Sequence, residues 1–159
     1  MKTCASCDST RLQPFEESLE IHVPGDKDGL RVIVDGVRAT RCEACGEVYT
    51  DGPDLGRAEV LAALEAVRAG LRDGPTLNWA RRALGLRAVD LAELLDVAPE
   101  TVSRWENGHR SADRSVWNTL ADLLANAVEG NTATLDLLRQ KARHPKAPLR
   151  VVLRPALGH

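Results

Sequence analysis

Aromatic residues are scarce in this sequence of 159 residues, which holds one Phe, one Tyr and three Trp. This scarcity argues against a single-strand nucleic-acid platform, because such platforms stack bases on aromatic rings. No apolar run approaches the roughly 18 residues that a membrane span needs, and the first ten residues lack the apolar stretch of a signal peptide. We therefore expect a cytoplasmic protein with no membrane partner, whose cores are built from Leu, Val, Ala and Ile.

The sequence also lacks an excess of positive charge, since 21 Lys and Arg oppose 23 Asp and Glu for a net charge of -2. Proteins that neutralise DNA phosphates usually have a basic balance. The total conceals two unlike halves, however. Residues 1–74 carry nine basic and fourteen acidic side chains, whereas residues 75–159 carry twelve basic and nine acidic ones. This difference in charge predicts that the two halves bind different partners.

Only four cysteines are present, and they form two CxxC pairs. Disulfides are rare in a reducing compartment, so this spacing indicates metal or redox chemistry. Two CxxC pairs supply the four thiolates of a tetrahedral zinc site, and Gly46 suits the left-handed bend that follows the second pair. We predict one structural zinc per chain, held by Cys4, Cys7, Cys42 and Cys45, although the spacing leaves iron open. Four thiolates leave no position for water, so we expect no catalytic zinc and no enzyme.

Apolar and polar residues alternate between residues 15 and 50, which predicts strands. Asp35 and Gly36 form a two-residue hairpin signal within this stretch. The first fifty residues therefore predict a small antiparallel sheet. Over residues 55–71 the apolar period becomes that of a helix, and the Asp-Gly-Pro of residues 73–75 ends it. The predicted domain boundary lies between residues 74 and 75.

Five short helices are predicted after this boundary, over residues 77–84, 88–95, 99–107, 115–128 and 133–143. Thr76 and Thr132 are the candidate N-caps of the first and the last of these helices, because Ser and Thr are favoured at that position. The predicted fold class is α+β: a small antiparallel-sheet Cys4 zinc domain over residues 1–74 precedes an all-α five-helix domain over residues 75–143. Residues 144–159 form a basic tail, for which both a short strand and a disordered arm remain open.

Residues 84–108 read LGLRAVDLAELLDVAPETVSRWENG. This pattern predicts two short helices joined by a tight turn at residues 96–98. Its apolar positions are spaced to face one core, and they are Leu91, Ala92, Leu95, Val97, Val102 and Trp105. With its LAxxLxVxxxTVSRWExG pattern, the stretch resembles the Cro/C1 (Xre) helix-turn-helix family over residues 77–127.

The resemblance implies five helices, of which the third enters the DNA major groove. Glu100 and Arg104 would then read bases, since a guanidinium can bond guanine O6 and N7 and a carboxylate can accept from a cytosine amine. Thr101 and Ser103 are further candidates for base or phosphate contacts. Ala98 stands where the family often has a capping Ser or Thr, which costs about 1 kcal/mol.

Two clamps for DNA phosphates are predicted around this helix. One is Arg87 with the free N–H groups that begin at Ala88. The other lies in the loop after the recognition helix and consists of Asn107, His109, Arg110 and Arg114. The resemblance also implies a structural ion pair between Arg81 and Glu106. We expect Trp105 and Trp117 in the core, while Trp79 could lie in the core or at a functional surface.

The order of a CxxC zinc finger and an Xre domain resembles the MqsA/YgiT-type zinc-finger antitoxins. The resemblance implies a homodimer that represses its own operon by binding a palindromic DNA operator. It further implies that the amino-terminal domain sequesters a cognate toxin, typically a ribonuclease. An acidic zinc domain would complement a basic toxin surface.

Two alternatives compete with the antitoxin. The first is a stand-alone Xre-family regulator whose zinc domain is a structural or sensory module. The second is a thiol redox protein, for which the sequence should supply a base near a low-pKa cysteine and offers only His22.

Overall fold

The computed structural model describes residues 3–139, which include the strands β1 (Leu12–His22), β2 (Arg31–Cys42) and β3 (Val48–Thr50). Within these residues the strands form an antiparallel sheet in the order β1-β2-β3. The turn between β1 and β2 is closed by the Val23 N–H, which donates to the Leu30 carbonyl at 2.9 Å. The second CxxC pair starts at the end of β2 and continues into the β2–β3 connection. The first pair precedes β1, so the pairing of β1 with β2 brings the two pairs together.

Asp35 and Gly36 do not form a hairpin turn, so that prediction is wrong. They lie inside β2, where the register shifts between Glu17 and Leu19 of β1 and both residues oppose a single residue of that strand. Gly36 has a φ of 77°, which is the backbone conformation that a glycine bulge requires. An Asp-Gly pair supplies the same positive φ to a turn and to a bulge, and the partner strand decides between them.

Six helices follow the sheet in the described part of the chain. Their bounds are α1 (Gly52–Arg68), α2 (Gly74–Ala83), α3 (Ala88–Leu94), α4 (Pro99–Glu106), α5 (Arg114–Val128) and α6 (Ala133–Arg139). These confirm the predicted α+β class and the predicted series of helices. The last four residues of the predicted 133–143 helix, and the whole predicted tail over residues 144–159, lie outside the described residues.

Side-chain caps explain why α1 and α2 begin earlier than predicted. Asp51 accepts a hydrogen bond from the Asp54 N–H, so α1 begins at Gly52. Asp73 accepts from the Thr76 N–H at 2.8 Å, so α2 begins at Gly74 and Thr76 is not its N-cap. The predicted cap at Thr76 is therefore wrong, because an Asp three residues earlier takes that role.

The helical core gathers the apolar sides of α1 to α5. The residues predicted to face one core are buried or pack against it, and Trp105 and Trp117 are both buried.

Helix α1 contributes four buried residues to this core, namely Val60, Ala63, Leu64 and Val67. Its Ala58 and Ala62 instead pack on the sheet with Val34 and Val37. Trp79 packs against both clusters. The boundary between residues 74 and 75 stays a prediction.

Arg38 and Asp54 join β2 to the start of α1. The Arg38 Nε and Nη2 atoms donate to the two carboxylate oxygens of Asp54 at 2.6 and 2.8 Å. The Asp54 side chain is only 11% exposed. These hydrogen bonds from Arg38 lower the pKa of Asp54 to about 2.

Asp54→Asn is expected to destabilise the protein at pH 7 but to make little difference near pH 2. The pKa of Asp54 is depressed in the folded state, so its stabilisation is complete above the ordinary value of 3.8 and is lost as pH falls toward about 2. The measurement is the difference in Tm between the native protein and the variant across this range. Asp28→Asn, in an exposed turn, is the control. A difference that stays constant down to pH 2 would contradict the prediction.

Candidate metal centre and nucleic-acid interface

The four cysteine sulfurs converge at the base of the sheet, where all of them lie within 4.8 Å of one another. Cys4 Sγ is 3.6 Å from Cys45 Sγ, and Cys7 Sγ is 3.6 Å from Cys42 Sγ. A tetrahedron with metal–sulfur bonds of about 2.3 Å has an edge of about 3.8 Å, so the spacing fits one ion. Cys4 and Cys42 are buried, whereas Cys7 and Cys45 face solvent. These residues can hold a metal ion, and their all-thiol chemistry suits zinc.

Both CxxC pairs adopt the same turn. The N–H of Gly46 donates to the Cys42 carbonyl at 2.8 Å, and the N–H of Asp8 donates to the Cys4 carbonyl at 2.9 Å. Gly46 has a φ of 80° and Asp8 a φ of 57°, so each turn closes on a left-handed residue. The predicted bend at Gly46 is confirmed. Asp8 takes this conformation without the freedom of glycine, since Asp tolerates it better than most residues.

Tyr49 stands next to the metal centre and was missed by sequence reasoning. Its hydroxyl oxygen is 3.2 Å from Cys4 Sγ and 3.2 Å from Ser6 Oγ. Hydrogen bonding from Tyr49 lowers the pKa of Cys4 to about 6. The backbone N–H groups of Cys45 and Ala44 lower the pKa of Cys42. Both effects favour the thiolates of Cys4 and Cys42. Despite the N–H groups of Ser9 and Glu47, hydrogen bonds with the neighbouring thiols raise the pKa of Cys7 and of Cys45. The thiolate is the form that binds metal.

Helix α4 presents the residues that the sequence assigned to base reading. Pro99 occupies its first turn, and Ala98 provides no side-chain cap, as predicted. Glu100, Ser103 and Arg104 are exposed, and Thr101 is half-buried. Within residues 3–139, the side chains of Glu100 and Arg104 make no hydrogen bond or ion pair. The opposite side of α4 is anchored in the core by Val102 and Trp105.

A buried ion pair fixes α4 against α2. Arg81 Nε donates to Glu106 Oε1 at 2.6 Å, and each side chain is about one-tenth exposed. Arg81 Nη1 also donates to the Leu86 carbonyl at 2.6 Å, and the Asn78 amide donates to Glu106 Oε2 at 2.9 Å. The ion pair implied by the family resemblance is therefore present. It holds the end of α4 to the segment that leads into α3.

Glu106→Ala is expected to destabilise the fold by about 3–5 kcal/mol, because it leaves the Arg81 guanidinium buried without its counter-charge. Urea denaturation measures the loss. Glu65→Ala is the matched control, since it removes an exposed carboxylate that pairs with Arg68 at 2.9 Å and should cost at most about 1 kcal/mol. Equal losses in the two variants would contradict a structural role for the buried pair.

The two predicted phosphate clamps differ in their local contacts. Arg87 is exposed, and its guanidinium pairs with Asp90 at 2.8 Å while its backbone N–H donates to the same carboxylate. Asp90 thereby caps the helix that begins at Ala88, which is half-buried. In this conformation the positive charge of Arg87, which belongs to the first clamp, is already paired with the carboxylate of Asp90.

The second clamp lies against the end of α4. The N–H groups of His109 and Arg110 donate to the Arg104 carbonyl at 2.9 and 3.2 Å. Asn107 donates through its side chain to the Ser103 carbonyl at 2.8 Å. Arg114 is the first residue of α5 and is exposed. The loop backbone is therefore bonded to the end of α4, and Arg114 lies at the start of α5.

A helix-turn-helix family model matches residues 77–126. The matched segment runs from within α2 to within α5 and agrees with the sequence resemblance. This match supports a DNA-binding transcriptional regulator, with double-stranded DNA as its ligand, and such regulators are generally not enzymes. No curated protein matches the chain. In residues 3–139, no helix is long and apolar enough to cross a membrane.

Proposed function

We propose that this protein is a sequence-specific DNA-binding repressor that serves as the antitoxin of a type II toxin–antitoxin pair. The observation that carries DNA recognition is the exposed pair Glu100 and Arg104 on α4, inside the segment that matches the helix-turn-helix family. The two side chains lie one helical turn apart and point the same way. Both are unpaired within residues 3–139, so base contacts would displace no internal partner.

The mode of binding follows from the helix and its surroundings. Arg104 bonds a guanine, Glu100 accepts from a cytosine, and Thr101 and Ser103 add contacts to bases or phosphates. The loop after α4, with Asn107, Arg110 and Arg114, lies along the DNA backbone. A homodimer would place two recognition helices about 34 Å apart on a palindromic operator.

The zinc domain is proposed to bind the toxin. Strand β1 lies at an edge of the sheet and carries Glu16 and Glu20, both exposed. Glu20 pairs with Arg31 at 2.9 Å, and a basic toxin would compete for this carboxylate. With the ion held by Cys4, Cys7, Cys42 and Cys45, the tetrathiolate adds further negative charge. An acidic surface of this kind complements a basic protein such as a ribonuclease. The protein would repress the operon that encodes both partners.

Two experiments test these assignments. Selection from random duplex DNA should enrich a palindromic sequence, and failure to enrich any sequence would contradict the repressor. The product of the neighbouring reading frame should arrest growth when expressed alone and be neutralised by this protein. Glu16→Lys with Glu20→Lys should abolish neutralisation but preserve operator binding, whereas Glu129→Lys, exposed at the end of α5, should preserve both.

A neighbouring product that does not arrest growth would favour the alternative, a stand-alone regulator. One observation fits that alternative as well: the four-cysteine site is joined through the sheet to α1, which also packs in the helical core. Metal occupancy could then be sensed by the DNA-binding helices. Operator affinity that depends on added zinc, with no toxin present, would identify that function.

A further inference from the structure

A basic pocket lies between the linker that precedes the helix-turn-helix match and the start of α5 within that match. It has a volume of about 380 Å³ and lies beside the first turn of α5. Its lining residues are Arg72, Ala112, Arg114 and Trp117. No carboxylate lines it within residues 3–139, and Arg72 and Arg114 form no ion pair there. Two unneutralised guanidinium groups around one opening favour an anion.

Close packing explains how Arg72 reaches this place from the linker between α1 and α2. A Cβ at Gly74 would collide with the carbonyl oxygens of Trp105 and Glu106, so the linker runs directly against the last turn of α4. Arg72 is two residues earlier, and its Cζ atom lies 5.9 Å from the centroid of the Trp117 ring. This cation–π contact fixes the position of Arg72 next to α5.

The pocket continues the predicted DNA surface. Arg110 follows α4 and bonds through its N–H to the Arg104 carbonyl, and Ala112 and Arg114 come next along the chain. A groove-bound α4 therefore brings the DNA backbone toward the end where Arg72 and Arg114 converge.

We propose that Arg72 and Arg114 together bind a DNA backbone phosphate, so that the linker before α2 belongs to the DNA-binding surface. The inference rests on the DNA binding proposed above and adds a residue that lies before the helix-turn-helix match. The ligand is a phosphate held by two guanidinium groups, which bond phosphate oxygens in pairs. The contact positions the recognition helix and reads no base.

The test measures operator affinity as a function of salt for the selected duplex. Arg72→Gln should bind several-fold more weakly, and the slope of log K against log salt should fall by about 1 per bound protomer. Arg72→Lys should retain most of the slope because it retains the charge. Arg57→Gln is the control for loss of a distant positive charge: this exposed arginine, which pairs loosely with Asp54 at 3.9 Å, lines a pocket with Val128 at the opposite end of α5, about 20 Å away.

Three outcomes would overturn the inference. Arg72→Gln could behave as Arg57→Gln does, while the native protein still binds DNA. Arg72→Gln and Arg72→Lys could lose affinity equally with an unchanged slope, which would identify a purely structural role. Inorganic phosphate could shift the Trp117 indole resonance with no effect of Arg72→Gln on DNA binding, which would assign the pocket to a free anion. If the native protein binds no duplex, the proposed function fails instead.

Discussion

Removing the metal is expected to unfold the amino-terminal sheet. Within residues 3–139, only Val34, Val37 and two alanines of α1 are buried in the cluster beneath this sheet, so apolar packing contributes little there. Structural zinc contributes about 10–16 kcal/mol to the folding of small zinc-finger peptides, and a four-thiolate site of this kind should supply a large share of the stability. The ion would also offset two of the four negative charges of the thiolates, whose sulfurs converge within 4.8 Å.

The experiment begins with metal analysis of the purified protein, which should find one zinc per chain. Chelation, or Cys42→Ser, should then remove the dispersed resonances of the sheet in an NMR spectrum. Tyr49→Phe is the matched variant, because it removes the hydroxyl next to Cys4 but keeps every ligand. It should retain the metal and the sheet. A metal-free sample with an intact sheet would refute the structural role of the ion.

Arg104→Ala is expected to reduce operator binding to the level of unrelated DNA. A bidentate contact between arginine and guanine discriminates by about 1–3 kcal/mol, and a dimer loses it twice. Thermal stability should change by less than about 0.5 kcal/mol, because the Arg104 side chain is exposed and unpaired within residues 3–139. Electrophoretic mobility shift and thermal melting measure the two quantities.

Arg82→Ala is the matched control for this variant. Arg82 is also an exposed cation without an ion pair within residues 3–139. It lies on α2, where it lines a different pocket together with Trp79 and Glu59. Its replacement should leave operator selectivity unchanged. Retention of full selectivity by Arg104→Ala would remove this residue from base reading.

Features set by neighbouring residues could be predicted from the sequence. The helix positions and the CxxC turn at Gly46 depend on local periodicity, caps and backbone freedom. The ion pair between Arg81 and Glu106 was predicted from a family resemblance, and it is present in the structure. The local sequence patterns therefore predicted the helices and the CxxC turn.

Features set by distant residues could not be predicted. Tyr49 lies next to Cys4 because β3 pairs with β2. Arg72 and Arg114 line the same pocket because Gly74 packs against α4. Asp35 with Gly36 shows the same limit, since a turn and a bulge share one local signal. Tertiary pairing decided each of these positions.

The shared helix α1 has a thermodynamic consequence for the whole protein. It supplies four buried residues to the helical core and two alanines to the sheet cluster. Loss of the sheet exposes one side of α1 and weakens its hold on the other, so the helical core should melt at a lower temperature once the sheet is lost. Free zinc then raises the Tm of the recognition helix by mass action, although the ion lies in the other half of the chain.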